Sequence, residues 1–79
     1  MTVQRRRTEK MMKFIKTKIV ERIDGSKYVN SAVFDYLTQE GAVKDVSETI
    51  DDLMNARVNV WAEVKLFDLE GNLIAEEAL

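Results

Sequence analysis

The side chains that could do catalysis in this chain are carboxylates, lysines and hydroxyls, because its 79 residues include neither cysteine nor histidine. The adjacent pairs Asp51-Asp52 and Glu76-Glu77 come nearest to a general acid-base dyad. Neighbouring residues point in different directions on a helix or a strand, so neither pair is expected to share a proton. The three serines have no histidine to activate them. We therefore predict that the protein is not an enzyme and has no catalytic residues.

Acidic residues at helical spacing are the candidates for metal binding. Glu48 with Asp52, and Asp51 with Asn55, stand at i and i+4, and such oxygen ligands suit Mg²⁺ or Ca²⁺. The chain has no calcium-binding loop in which acidic residues alternate around a central glycine. Its three glycines lie far apart and do not form a phosphate-binding loop. We predict no metal site and no cofactor.

Two segments in the first half of the chain fit either a strand or a helix. Residues 12–23 show both a period of two with many β-branched side chains and a helical stripe of isoleucines. The Asp24-Gly25 pair that follows is typical of a hairpin turn and favours the strand. Residues 28–40 fit a strand followed by a helical turn, or a helix that ends at Gly41. The first half is therefore expected to form a hairpin, with the helical alternative left open.

The second half of the chain has clearer patterns. Residues 45–57 predict a helix, since Asp45 and Glu48 have the spacing of a capping box and an apolar stripe follows. Residues 58–67 place aliphatic side chains at every second position, and a turn that contains Gly71 leads to a return segment that starts at Leu73. This pattern predicts a second hairpin.

Two architectures fit this order of elements. The favoured one is α+β, a four-stranded antiparallel sheet built as hairpin, helix, hairpin, with one main helix on one face. The alternative makes residues 9–23 and 29–40 helical and gives three helices and a C-terminal hairpin, an order similar to a winged-helix DNA-binding domain. Residues 1–10 are predicted to be a flexible basic arm and residues 11–79 a single domain. The composition, 46% hydrophobic and 33% charged, excludes a wholly disordered chain.

The net charge of −2 hides an asymmetry between the two parts of the chain. Residues 1–27 carry nine basic and three acidic side chains, whereas residues 28–79 carry three basic and eleven acidic ones. One interpretation is that the basic part binds nucleic-acid phosphates. The favoured interpretation is that the parts attract each other within the fold or across a homodimer, or are simply solvated. The candidate residues for nucleic-acid binding are Arg5, Arg6, Arg7, Lys10, Lys13, Lys16 and Lys18.

Two groups of side chains point to a protein partner. The predicted helix presents Glu48, Asp51 and Asp52, which would repel DNA from a recognition helix. Trp61 and Phe67 alternate with an aliphatic stripe, so they face away from the helix if that stripe packs against it. Large exposed aromatic residues are typical of interaction sites. The candidate protein-interaction residues are therefore the three acidic residues of the helix and these two aromatic residues. The aliphatic stripe consists of Val58, Val60, Ala62, Val64 and Leu66.

The leading functional hypothesis is a small, non-catalytic binding or regulatory protein that acts through protein–protein contacts and self-associates as a dimer. The alternative is a nucleic-acid-binding transcriptional regulator. Lysines and arginines interrupt every apolar run near the N-terminus, and no uncharged run is long enough to cross a bilayer. We therefore expect a cytoplasmic protein without a membrane partner.

Overall fold

The computed structural model describes residues 11–79, and the predicted arm of residues 1–10 lies outside this range. Four strands form one antiparallel sheet in the order β2-β1-β3-β4, with a single helix in the described part of the chain. The predicted α+β architecture is confirmed. The winged-helix alternative is wrong, because both ambiguous segments pair with each other as strands. The elements are β1 (Met12–Arg22), β2 (Lys27–Tyr36), α1 (Gln39–Asn55), β3 (Asn59–Phe67) and β4 (Leu73–Ala78).

The turn chemistry of the two hairpins explains why these segments pair. Gly25 and Gly71 have φ angles of +89° and +91°, a region that side chains with a Cβ rarely adopt. In the first turn, the Asp24 carboxylate accepts hydrogen bonds from the backbone N–H and the hydroxyl of Ser26, at 2.9 and 2.7 Å. In the second turn, the Asp68 carboxylate accepts from the backbone of the following turn residues in the same way. Both turns were expected from the Gly positions in the sequence.

The helix begins six residues before its predicted start. Its N-cap is Thr38, whose hydroxyl accepts a hydrogen bond from the Gly41 N–H at 3.0 Å. A Cβ at Gly41 would lie 3.2 Å from that hydroxyl oxygen, so glycine leaves room for the cap. The predictions that Asp45 caps the helix and that Gly41 ends one are therefore wrong. Asp45 lies inside the helix, and its carboxylate binds a side chain from the sheet instead.

The core lies between the helix and one face of the sheet. Ala42, Val46 and Ile50 of the helix are buried against the inner side chains of β3, with Phe14 and Val20 of β1 beside them. Of the predicted aliphatic stripe, Ala62, Val64 and Leu66 are fully buried, whereas Val58 and Val60 are each 50% exposed. The helix packs mainly on β3 and β4 and meets β1 and β2 at few positions. Within the range 11–79, most of β2 therefore has no covering layer.

Replacement of Thr38 by alanine should lower the free energy of unfolding by about 1 kcal/mol, because the Gly41 N–H loses its side-chain acceptor. Urea unfolding followed by far-UV circular dichroism measures this change. Thr38→Ser keeps the hydroxyl and is the matched control, which should lose far less. Equal losses in the two variants would contradict the capping role of the hydroxyl.

Candidate interaction surface

The sheet face opposite the helix is not covered by any element of residues 11–79. Strand register assigns side chains to this face, because directly paired residues of antiparallel strands project to the same side. We call it the open face. Its large apolar side chains are Ile15 and Ile19 of β1, Val29 and Val33 of β2, and Trp61 and Phe67 of β3.

These apolar side chains form two rows across the strands. In the first row, Val33 lies across from Ile15, and Ile15 lies across from Phe67, so the row crosses three strands without a break. In the second row, Val29 lies across from Ile19. Val29 and Val33 are 70% and 56% exposed, because β2 is the edge strand and no described residue packs over them. The open face therefore presents a broad apolar surface to solvent.

Trp61 completes the second row. It pairs with Glu21 and stands diagonally across from Ile19, which is within reach of an indole ring. Between the two rows lies a polar row in which Thr17 pairs with Ser31 on one side and Lys65 on the other. The Thr17 and Ser31 hydroxyl oxygens are 3.2 Å apart. The structure thus places both predicted aromatic residues on one uncovered face, where each is half-buried by its strand neighbours.

The acidic candidates lie on the other side of the molecule. Glu48, Asp51 and Asp52 are exposed on the helix, and the sheet separates them from Trp61 and Phe67. The five predicted protein-interaction residues therefore form two separate surfaces. A partner that sits on the open face does not reach the acidic side chains.

Three of the basic candidates, Lys13, Lys16 and Lys18, lie within the described residues, where they pair with a carboxylate or lie on the sheet face that the helix covers. The Lys13 ammonium lies 2.9 Å from the Asp35 carboxylate in an exposed ion pair. Lys16 is only 7% exposed, on the sheet face that the helix covers. Lys18 is half-buried on that same face. Arg5, Arg6, Arg7 and Lys10 lie outside the described residues. Residues 11–79 thus bring together no cluster of these lysines that could face a phosphate backbone.

The burial of Lys16 creates a polar cluster between the sheet and the helix, which we call the Lys16 cluster. The Lys16 Nζ lies 2.6 Å from Asp45 Oδ2 and 3.2 Å from Thr49 Oγ1, both on the helix. It also sits 4.6 Å from the ring centroid of Phe34. The Tyr36 hydroxyl donates a hydrogen bond to the same Asp45 oxygen. This cluster links the helix to β1 and β2, which it otherwise meets at few positions.

The charges within the Lys16 cluster support one another. Burial raises the pKa of the Asp45 carboxyl, but hydrogen bonds from Lys16 and Tyr36 and the charges of Lys16 and Lys18 outweigh it, so the pKa falls below 3.8. Burial is the largest cause that raises the pKa of Tyr36 above its ordinary value of 10.0, and the hydrogen bond to Asp45 and the negative charge of the Asp45 carboxylate act in the same direction. At neutral pH the tyrosine is therefore a neutral donor to an ionised carboxylate. The arrangement is suited to holding the helix in place.

Sequence reasoning missed the Lys16 cluster, although one signal was available. In β1, alternation places Lys16 on the same face as Phe14 and Val20, both of which are buried. A lysine on an apolar strand face needs a counter-charge from the element that covers that face. Asp45 of the predicted helix was available as that counter-charge, but the capping-box interpretation assigned its carboxylate to the helix N-terminus.

Two further observations concern metals and membranes. Among residues 11–79, no three acidic side chains lie close enough together to hold a metal ion. The same residues include no helix with the length and apolar character needed to cross a membrane.

The two halves of the Lys16–Asp45 pair should differ in their importance for stability. The Lys16 and Asp45 side chains are 9% and 29% exposed. Loss of the carboxylate therefore leaves a well-buried cation without a counter-charge, whereas Asp45 without Lys16 keeps its hydrogen bond from Tyr36 and some contact with water. Asp45→Asn should therefore cost about 2 kcal/mol of unfolding free energy, and Lys16→Met roughly half as much. Urea unfolding at pH 7 of both variants and of Asp52→Asn, an exposed control, measures this difference. An equal or reversed order would contradict the proposed asymmetry.

The lowered pKa of Asp45 predicts acid sensitivity. Because its pKa is lower in the folded than in the unfolded chain, ionised Asp45 stabilises the fold above pH 3.8, and this contribution is lost as pH falls through the folded value. Asp45→Asn should therefore show a smaller loss of stability between about pH 5 and pH 2. A residual pH dependence should persist, since hydrogen bonds from Ser26 and Asn72 also lower the pKa of Asp24 and Asp68. Thermal unfolding across this pH range tests the difference; identical pH profiles would contradict it.

Comparison with protein-family models, with curated proteins and with solved structures finds no match to this chain. Functional inference therefore depends on the chemistry of its own residues. The features that carry such inference are the open face, the acidic side of the helix and the exposed edge strand β2.

Proposed function

We propose that this protein is a non-catalytic binding module that self-associates and holds a protein partner on its open face. The observation that carries this proposal is the continuous apolar row of Val33, Ile15 and Phe67, together with Trp61, on a sheet face that residues 11–79 leave uncovered. Small proteins rarely leave such a surface in water without a use for it. Tryptophan and phenylalanine on a rigid strand are well suited to a partner's apolar pockets, because little side-chain freedom is lost on binding.

The charges around the open face favour a protein over a nucleic acid as the partner. The paired residues of this face include three basic side chains, Lys13, Lys27 and Lys65, and four acidic ones, Glu21, Asp35, Glu63 and Glu76. This mixture has no excess of positive charge for a phosphate backbone. It suits a partner surface with apolar residues at its centre and both signs of charge at its rim.

The available side chains also support a role without catalysis. The chain has no cysteine or histidine, and the buried lysine already binds a carboxylate and a hydroxyl. A binding module of this kind acts by occupying or bridging its partner. A chain without cysteine suits the reducing cytoplasm, where we place this function.

The acidic side of the helix is a second, separate surface in this proposal. Glu48, Asp51 and Asp52 are exposed, and they give this side of the molecule a negative charge. Such a surface speeds the encounter with a basic partner and repels nucleic acid. Its contribution to binding should depend on salt, in contrast to that of the open face.

The double substitution Trp61→Ala/Phe67→Ala should weaken partner binding and leave the fold intact, because neither ring lies in the core between sheet and helix. Proteins captured from source cells by the wild-type chain are identified and purified, and each is then titrated into it. The emission of Trp61, the single tryptophan, reports direct contact. In a label-free titration, the double variant should bind at least about 10-fold more weakly.

The matched control for this experiment is Glu48→Gln/Asp52→Asn on the helix side, which should bind the open-face partner as tightly as the wild type, because the sheet separates these side chains from the open face. Equal affinity of the wild type and the aromatic double variant would overturn the proposed role of the open face. Salt-sensitive retention of the chain on duplex DNA, with no protein partner, would instead support a nucleic-acid-binding function.

A further inference from the structure

The edge strand β2 has unusual exposure for a strand of its composition. Eight of its ten residues are exposed, although they include valines and aromatic residues that normally pack in a core. Its ten residues pair with β1 without a bulge, and it contains no proline. Only Lys27 and Asp35, near its two ends, carry charge. Long, regular and apolar edge strands pair with other strands unless something protects them.

The opposite edge of the sheet is protected in the usual ways. β4 has only six residues, two of which are glutamates, and the helix packs over it. Short length, charge and cover all discourage pairing with another chain. The two edges therefore differ, and β2 is the edge that is open to pairing.

Along β2, the backbone N–H and C=O groups of successive residues point alternately toward β1 and away from it, and the hydrogen bonds of the first hairpin show which residues point outward. The Arg22 N–H donates to the Ser26 carbonyl, which makes these two residues a hydrogen-bonded pair. Pairs two residues further along repeat this pattern, so the even-numbered residues of β2 bond to β1. The odd-numbered residues, from Lys27 to Asp35, turn their N–H and C=O groups outward. The central one is Ser31.

We propose that β2 pairs antiparallel with β2 of a second copy of this chain, about a two-fold axis that passes beside Ser31. In this register Val29 lies across from Val33 of the second copy, and Lys27 lies across from Asp35 of the second copy. The outward N–H and C=O groups of the five odd-numbered residues would form about ten backbone hydrogen bonds. The dimer is a continuous eight-stranded sheet.

The other face of β2 is also self-complementary in this register. Tyr28 lies across from Phe34 of the second copy, so two aromatic pairs form on the helix side. These rings are 50% and 38% exposed in the single chain. The Arg22 guanidinium already lies 4.2 Å from the centroid of the Tyr28 ring and would cover its pair.

Neighbouring registers lack this complementarity. If the axis moves one residue toward the N-terminus, Lys27 lies across from Val33 of the second copy. If it moves one residue toward the C-terminus, Val29 lies across from Asp35 of the second copy. Each shift places a charge opposite a valine, which loses both the apolar contact and the ion pair. The sequence of β2 therefore specifies one register.

This inference gives the geometry of the self-association in the proposed function and rests on that part of it. Edge-to-edge pairing keeps both helices on one side and joins the two open faces into a single surface on the other. Trp61 and Phe67, which lie on β3, remain free in both copies. A face-to-face stack would instead bury these two residues.

The decisive experiment uses two double variants with opposite charges, Val29→Lys/Val33→Lys and Val29→Asp/Val33→Asp. Each variant alone should be monomeric, because like charges would lie across the axis. An equimolar mixture should form a heterodimer, because every repulsive pair becomes an attractive one. Sedimentation velocity of the wild type, the two variants and the mixture measures this. The exposure of both valines predicts that the single chains still fold, which circular dichroism checks.

Two further variants make the result specific to the strand edge. Ile23→Lys/Leu69→Lys adds the same charge at exposed apolar residues outside β2 and should remain dimeric. Ser31→Pro removes an outward N–H without removing a backbone hydrogen bond to β1, and should also give a monomer. A monomeric wild type, or dimeric charge variants, would overturn the inference. Edge pairing keeps Trp61→Ala/Phe67→Ala dimeric; if this variant becomes monomeric, the copies stack through their open faces, on which Val29 and Val33 also lie. The proposed function then survives without the edge pairing.

Discussion

The architecture depends on a difference in width, because one helix is narrower than the four-stranded sheet on which it packs. A helix with its side chains is about 10–12 Å wide, and strands lie about 4.8 Å apart, so one helix covers only about two or three strands. Here the helix packs mainly over β3 and β4, and it covers part of β1. The outer strand β2, and the whole opposite face of the sheet, are left without a partner among the described residues. The surfaces on which the proposed function rests follow from this shortage of cover.

The Lys16 cluster marks the boundary between the covered and the uncovered parts of the sheet. Lys16 lies on β1, with buried apolar side chains on one side and the exposed strand β2 on the other. An apolar residue there would add to the core but would not fix the lateral position of the helix. A hydrogen-bonded pair with Asp45 is directional, so it sets the position of the helix relative to the first hairpin. Tyr36 extends this restraint to β2.

The sheet has two exposed parts, the edge of β2 and the open face, and their chemistry suits different partners. The edge of β2 offers backbone hydrogen bonds and a self-complementary run of side chains, which suits another strand. The open face offers aromatic and aliphatic side chains on rigid strands, which suits a folded protein surface. Because the edge and the face meet along β2, pairing at the edge would enlarge the face. The acidic helix side lies away from both the edge and the open face.

The sequence alone predicted the second hairpin, because side-chain alternation and a glycine turn act over a few residues, whereas for the first hairpin it favoured strands and left helices open. It also determined that Trp61 and Phe67 stand on the opposite side of β3 from Ala62, Val64 and Leu66, since strand geometry has a period of two. The start of the helix was wrong because Thr38 and Asp45 are both good caps locally, and only the tertiary structure decides between them. Asp45 is drawn to Lys16, 29 residues away in sequence. The burial of Lys16, and the exposure of β2 at an edge, were likewise decided by the strand order, since pairing between distant segments depends on the energy of the whole sheet and its single helix.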